Sequence, residues 1–362
     1  MRARPSAVAC LALAAALAAC AESETPAKTQ VAIGTRNLYL GTPIELALGD
    51  PPPGQTVYDV IDQLWAYVLA TDFPARAGAL ADEITAHRPA LVGLQEVSLW
   101  RTQICTPPCG DGPWNPATHV EYDFLQSLLE ALQARGLTYA EVASVVNFDG
   151  EFTGASGNDY RYTDRDAIIA LQGVPVANAR GGNFDAALMV DVGGFPVTIT
   201  RGWVSVDATV EGKTFRFASA HLDDSASEEG IRVQGEQALQ FLDEVAGSLP
   251  LVAVGDFNSH PPPGEVRPAY GILTALATGL SDTWVELRPS ETGASSFSCC
   301  RDGLLADTQS RHYERIDLIL HGPEFSPLSV DITAGNGSVT ISTSPPVWAS
   351  DHAGMFGVLQ ID

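Results

Sequence analysis

The sequence predicts an α/β fold in which two mixed β-sheets pack face to face and carry helices on their outer surfaces. Three observations lead there. Short apolar runs of strand length alternate along the chain with longer stretches of helical periodicity. Some strand-like runs are joined by turns too short for a crossover, as at Glu211-Gly212, so the sheets are mixed and not purely parallel. The apolar runs are also too many to bury without two sheets facing each other.

The elements follow in order. Val31 to Tyr39 reads as a strand, and Gly41 to Gly54, with Pro51-Pro52-Pro53, as a loop. Val57 to His87 has helical periodicity, interrupted near Phe73-Pro74 and ended before Pro89. Leu91 to Val97 is a buried strand, and residues 100–118 read as a long surface loop. Tyr122 to Ala134 is an amphipathic helix closed by Gly136. Thr138 to Phe148 and Asp166 to Gln172 are strands separated by a Gly- and Asn-rich loop. Ala186 to Asp191, Thr198 to Val210 and Lys213 to His221 read as antiparallel strands. Ile231 to Ala246 is a helix, Leu251 to Asp256 a strand, and Arg267 to about Ala277 a helix. Two late strands flank Asp317 and Met355.

The start of the chain is set apart. Arg2 and Arg4, the apolar stretch Val8 to Leu17 and the small residues of Leu17-Ala18-Ala19-Cys20 read as a secretory signal, too short to span a membrane. The end of this segment resembles the lipobox of bacterial lipoproteins, in which the cysteine is lipidated. The expected organisation is therefore a signal over 1–19, lipidated Cys20 and a polar tether over 20–30, and one domain over 31–362. The chain is expected to be exported and anchored to a bacterial membrane, facing the periplasm or the exterior, and to act as a monomer.

The 362 residues carry 20 basic and 44 acidic side chains, a net charge of −24. That balance opposes tight binding to long nucleic acid, whose affinity rests on Lys and Arg at the phosphates. It does not exclude a nuclease, because a bound divalent cation supplies local positive charge. Beyond Cys10 and Cys20, the cysteines are Cys105, Cys109, Cys299 and Cys300. Export permits disulfides. A bond between adjacent cysteines is strained, so cross-links between the 105–109 and 299–300 loops are favoured, with a Cys105–Cys109 bond or a Cys₄ zinc site as alternatives.

Several apolar strands end abruptly in polar groups. Leu251-Val252-Ala253-Val254 runs into Gly255-Asp256-Phe257-Asn258, Leu91 to Gln95 into Glu96, and Phe215 to Ala220 into His221. Asp317 sits in Arg315-Ile316-Asp317, Ser350-Asp351-His352 precedes the last strand, and Asn37 closes Thr35-Arg36-Asn37. Polar ends on buried strands point to one shared rim, and Asp, Glu, Asn and His on a rim point to metal-assisted chemistry.

These six segments, in this order, resemble the endonuclease/exonuclease/phosphatase (DNase I-like) superfamily, with secreted bacterial hydrolases as the nearest kind. The resemblance implies a four-layered α/β sandwich and divalent-metal hydrolysis of a phosphoester. It implies Glu96, Asn37 and Asp351 as metal ligands, with Mg²⁺ the expected cation and Mn²⁺ or Ca²⁺ as alternatives. His352 is similar to the general base and Asp317 to the acid that holds it. His221 and Asn258 would donate to phosphoryl oxygens or the leaving group, and Asp256 would orient water or supply a proton. Arg165, in Asp164-Arg165-Asp166, is a candidate for contact with substrate phosphate. Many nuclease members have an acid where this chain has Tyr39, which turns the expectation towards a lipid-headgroup or small phosphodiester. A secreted endonuclease and a non-catalytic binding lipoprotein of the same fold are the alternatives.

Overall fold

The computed structural model describes residues 28–104, 116–262, 267–307, 311–333 and 346–361. The signal and Cys20, and the loop cysteines Cys105 and Cys109, lie outside the described residues.

In chain order the first half runs β1 (Thr29–Asn37), α1 (Val57–Ala70), α2 (Phe73–His87), β2 (Leu91–Gln95), β3 (Leu99–Gln103), β4 (His119–Asp123), α3 (Phe124–Ala134), β5 (Tyr139–Thr153) and β6 (Asp159–Leu171). The second half runs β7 (Val176–Asn183), β8 (Leu188–Val192), β9 (Phe195–Ile199), β10 (Gly202–Val210), β11 (Lys213–His221), α4 (Glu228–Val245), β12 (Leu251–Asp256), α5 (Pro268–Leu273), β13 (Ser281–Asp282), α6 (Thr283–Leu287), β14 (Asp317–His321), β15 (Phe325–Ile332) and β16 (Met355–Ile361). One sheet has the order β15-β16-β1-β2-β6-β3-β4, with β5 also on β6; the second is β13-β14-β12-β11-β10-β7, and β8-β9 form a separate ribbon. Parallel pairing joins β1 to β2 and β11 to β12, and antiparallel pairing is found elsewhere, so both sheets are mixed.

The period-two alternation of each strand sorts its side chains between two cores. Val31, Ile33, Leu91, Ile168, Phe215, Phe217, Val252, Val254 and Ile319 meet between the sheets. The opposite phase of the first sheet, including Val92, Leu94, Ala167 and Ile169, packs on Phe73, Leu80, Ile84, Phe124 and Leu128 of α2 and α3. The opposite phase of the second sheet, including Ala218, Ala220, Ala253 and Leu318, packs on Ala238, Phe241 and Leu273 of α4 and α5. The result is four layers, helix–sheet–sheet–helix. Gly93 keeps the sheets close, since a Cβ there would stand 2.5 Å from Ser219 Oγ and 2.8 Å from Val254.

Several boundaries differ from the sequence expectation. The interruption at Phe73-Pro74 is a true break: Asp72 adopts a left-handed conformation (φ 44°) and its side chain caps Ala75 N–H. The expected surface loop over 100–118 contains most of β3, whose Leu99 to Gln103 pair with β6. The expected Gly- and Asn-rich loop shrinks to a short turn, because Thr153 already pairs with Asp159 and aromatic residues alternate on both arms. The strand expected over Thr198 to Val210 breaks at Thr200-Arg201. The helix expected from Arg267 to Ala277 ends at Leu273.

Candidate active site

The inter-sheet phase carries polar groups to one end of the sandwich. On the second sheet, His221 pairs in register with Asp256, and Asp256 with Asp317, so three polar side chains form a row across β11, β12 and β14. On the first sheet, Asn37 pairs with Gln95, and Glu96 follows immediately. Asp166 and Asp164 share the phase of Ile168 on β6. Three of the strand ends turn through left-handed residues: Tyr39 (φ 59°), Glu96 (φ 54°) and Asn258 (φ 48°). Such conformations are uncommon outside glycine and cluster at functional sites. Gly255 has no substitute, since a Cβ would lie 2.0 Å from Ala220 O.

Asp256 is the hub. Its Oδ2 accepts from Asn37 Nδ2 at 3.0 Å, and lies 3.7 Å from His221 Nε2 and 3.6 Å from His352 Nε2. Burial alone would raise its pKa, but His352, His221 and the Asn37 hydrogen bond hold it below the ordinary value. His352 Nδ1 lies 2.8 Å from Asp317 Oδ2, which fixes Nδ1 as the donor and turns Nε2 into the cavity. Burial disfavours the imidazolium, yet Asp317, Asp351 and Asp256 raise His352 well above the usual histidine range. Asp317 is oriented by Ser298 Oγ, which accepts from its backbone N–H at 3.1 Å.

Glu96 and Asp351 bring two further carboxylates, with Asp351 Oδ1 4.0 Å from His352 Nε2. Glu96 accepts from Asn37 Nδ2 at 2.9 Å and Leu40 N–H at 2.6 Å. Asp351 is pushed up to about 7 by burial, with Glu96 and Asp256 adding to the shift against His352. Carboxylates that repel one another in this way offer the hard oxygen donors and negative focus that a divalent cation neutralises, so these residues fit one. Asn37 needs a correction. It was expected to give its oxygen to the metal, but Oδ1 accepts from Tyr39 N–H at 2.8 Å. The left-handed turn at Tyr39 aims that N–H backward, and the Asn37 amide therefore donates to Glu96 and Asp256. It positions both carboxylates.

Further along, the break after β9 turns Arg201 inward. Its Nη1 lies 3.3 Å from His221 Nδ1, and its Nη2 3.6 Å from Asp224 Oδ1. His221 Nδ1 also lies 3.8 Å from Asp166 Oδ1. Sequence reasoning missed Arg201, Asp223 and Asp224. The available signal was Thr200-Arg201-Gly202, a polar step inside an apolar strand.

Asp164 is buried here. Burial first, and then Asp166, push its carboxyl up to about 7. A carboxyl raised above its unfolded value contributes stability that is fully present below the unfolded pKa and is lost as the pH rises through the folded one. Asp164→Asn is therefore expected to stabilise the fold more at about pH 8 than at about pH 5, by a margin on the order of 2 kcal/mol. Urea unfolding at both pH values measures the margin, and equal effects would show that Asp164 is not held neutral.

The charged groups named here, apart from Asp166 and Asp317, line one cavity of about 520 Å³, whereas Asn37, Gln95 and Ser298 do not. Away from the polar end, Ile44, Leu48, Trp65, Trp100, Phe152 and Val192 make its wall largely apolar. Asn258 borders it, with Nδ2 donating to Leu222 O at 2.9 Å.

Two other expectations change. Arg165 is not at the cavity: it bonds Asp123 Oδ1 at 2.8 Å and Val97 O at 2.9 Å. One residue out of phase with Asp164 and Asp166, it points to the helical face of the sheet. Cys299 and Cys300 are joined to each other as a vicinal disulfide, not cross-linked to the 105–109 loop. Their sulfurs turn towards His352 Nε2, at 3.5 and 4.0 Å.

Comparison with known proteins agrees with this architecture. A sequence profile of the Endonuclease/Exonuclease/phosphatase family matches residues 68–352. An endonuclease/exonuclease/phosphatase family protein from Bacteroides thetaiotaomicron is similar over 92% of this chain and 99% of its own, at 17% identity and a TM-score of 0.56. A mannosyl-6-phosphatase from Bacteroides thetaiotaomicron VPI-5482 is similar over 91% and 99%, at 16% identity and a TM-score of 0.53. A humanized D. rerio TDP2 is similar over 91% and 99%, at 14% identity and a TM-score of 0.51. At these identities the likeness is one of fold. Comparison with curated protein sequences gives no match.

Proposed function

Because the chain belongs to the endonuclease/exonuclease/phosphatase family, whose members hydrolyse phosphoester bonds, we propose that it is a divalent-metal-dependent phosphodiesterase acting on an ester that carries an apolar group. The observation that carries this is one cavity bordered by Asp256, Glu96, Asp351 and by His352, which Asp317 holds through Nδ1, with an apolar wall leading away.

Glu96 and Asp351 would hold the cation, with Mg²⁺ the best match to carboxylate donors. Bound there, it would offset the charge of the phosphoester and polarise a phosphoryl oxygen. His352 Nε2 takes the proton of the attacking water, while Asp317 holds the ring through Nδ1. Asp256, within 4 Å of both imidazoles, orients the water and sets the charge of the pair. His221 and Arg201 stand together where they donate to phosphoryl oxygens or to the leaving group, and Asn258 borders the same space. A lipid headgroup diester fits the polar end and the apolar wall together. The anchor expected at Cys20 would keep the cavity near such substrates.

The test is a substrate panel on the full chain with Mg²⁺: choline phosphodiesters of long and short acyl chain, bis-p-nitrophenyl phosphate, inositol phosphates and plasmid DNA. Long-chain diesters are expected to exceed short-chain ones by roughly tenfold or more in kcat/KM, since each methylene in an apolar pocket is worth about 1 kcal/mol or more. EDTA and Glu96→Ala should each abolish most of the turnover. Cleavage of DNA with no preference for any apolar ester would overturn the substrate reading in favour of a nuclease.

A further inference from the structure

We propose that Cys299 and Cys300, when reduced, form with His352 a binding site for a thiophilic divalent metal such as Zn²⁺, and that a metal bound there silences His352. The two sulfurs lie 3.5 and 4.0 Å from His352 Nε2. Together with that nitrogen they offer three ligand atoms all within 4.8 Å of one another. Cys299 is buried, whereas Cys300 is half-buried and borders the cavity, which gives a metal its route in.

The imidazole is already arranged as a metal ligand. Nδ1 is committed to Asp317 Oδ2, so Nε2 faces the sulfurs. A carboxylate behind a metal-binding histidine is the usual way its tautomer and ring orientation are fixed. A solvent oxygen would complete a four-coordinate set.

The two loops are laced so that these groups stay together. Ala353 N–H donates to Ser298 O at 2.7 Å, and Arg301 N–H to Asp351 O at 2.9 Å, on either side of the cysteine pair. Cys299 O accepts from Tyr313 and Glu314 N–H, at 2.6 and 3.0 Å. The sulfurs therefore belong to a backbone frame shared with His352.

The chemistry separates this site from the one at Glu96 and Asp351. Thiolate and imidazole select Zn²⁺ or softer ions, and carboxylates select Mg²⁺. The disulfide has no thiolate to offer, so the soft site exists only after reduction. A dithiol reductant supplies two electrons and two protons: the Cys299–Cys300 bond breaks, two S–H bonds form, and the reductant closes to its own disulfide. Zn²⁺ then displaces the two thiol protons, and any proton on Nε2, to solvent and takes the Nε2 lone pair. The binding rests on these distances alone; its effect on turnover rests on the role proposed for His352.

The full chain would be reduced with dithiothreitol, desalted without air and titrated with Co²⁺ and Zn²⁺ beside the oxidised form. The reduced protein is expected to show a thiolate-to-cobalt charge-transfer band and to bind one Zn²⁺ at least a hundredfold more tightly than the oxidised protein. His352→Ala should weaken Zn²⁺ at least tenfold, and the Cys299→Ser/Cys300→Ser double variant should match the oxidised form. Equal binding by oxidised and reduced wild type, which needs no variant to fold, overturns the site. Unweakened binding by His352→Ala overturns its composition. If the site fills but hydrolysis of every substrate the enzyme cleaves continues, the silencing is wrong. If no phosphoester is cleaved at all, the cobalt band still decides the site, and only the functional reading falls.

Discussion

His352→Ala is expected to lower kcat/KM on the preferred phosphodiester by about a thousandfold, within the range for loss of a positioned general base. The size follows from geometry. Among the buried imidazoles, His352 alone combines a 2.8 Å bond to a carboxylate with a second nitrogen facing Asp256, Asp351 and the cavity. Asp317→Asn should cost at least as much, roughly a thousandfold to ten-thousandfold, since the ring remains but an amide partner favours the wrong tautomer. The two variants also differ in pH profile. Asp317 is a leading cause of the raised His352 value, so its charge delays the appearance of free base as the pH rises. Activity that needs neutral His352 increases as pH rises through the folded pKa, and Asp317→Asn should move that limb to lower pH. His352→Ala should remove the limb. Initial rates across pH decide the matter. Activity within fivefold of wild type in both variants, or a limb that moves upward in Asp317→Asn, would exclude His352 as the base.

Much of this site could be read in the sequence because strand alternation is strict. Asn37 shares the phase of Ile33, His221 that of Phe217, Asp256 that of Val254, and Asp317 that of Ile319, and all four phases face the inter-sheet core. An acid, amide or histidine that ends such a phase must reach the rim between the sheets. The same rule, applied to β6, would have chosen Asp164 and Asp166 over Arg165, which shares the phase of Ala167 and Ile169. Other features have no local signal. Arg201 reaches the cavity only because the chain breaks between β9 and β10, and Asp223 and Asp224 lie on a loop placed by α4, where Gln234 and Gln237 hold it. The role of Asn37 turned on the backbone at Tyr39. Length and turn chemistry set the element boundaries that moved, as in the β5–β6 hairpin, where a dense group of turn residues occupied only the tip.

Arg76→Ala is expected to cost the fold about 3–5 kcal/mol, the range for removing one partner of a buried charged network. Arg76 has no solvent exposure, and it lies on the apolar face of α2 among Phe73, Ala77 and Leu80. Its Nη1 donates to Leu38 O at 2.7 Å and Ala349 O at 3.1 Å, and its Nη2 to Tyr39 O at 3.1 Å. The guanidinium carbon lies 4.8 Å from the Phe73 ring centroid and 5.4 Å from that of Phe124. Burial lowers its pKa to about 10, which leaves it charged at neutral pH. One side chain thus ties the segment after Asn37 to the segment before Asp351. Removing it strands three buried carbonyls and frees the loop that carries Asp351 and the loop whose Leu40 N–H holds Glu96. Arg76→Lys should rescue little, because one ammonium cannot fork between carbonyls on two loops. The fall in unfolding midpoint should be roughly 5 °C, and kcat should drop more than KM changes. The control is Arg232→Ala, which removes exposed pairs with Glu229 and Glu236 and should shift stability by less than about 0.5 kcal/mol. Calorimetry on the three variants settles the comparison. If Arg76→Ala unfolds no more easily than Arg232→Ala, the loops around the site are held by something other than this buried cation.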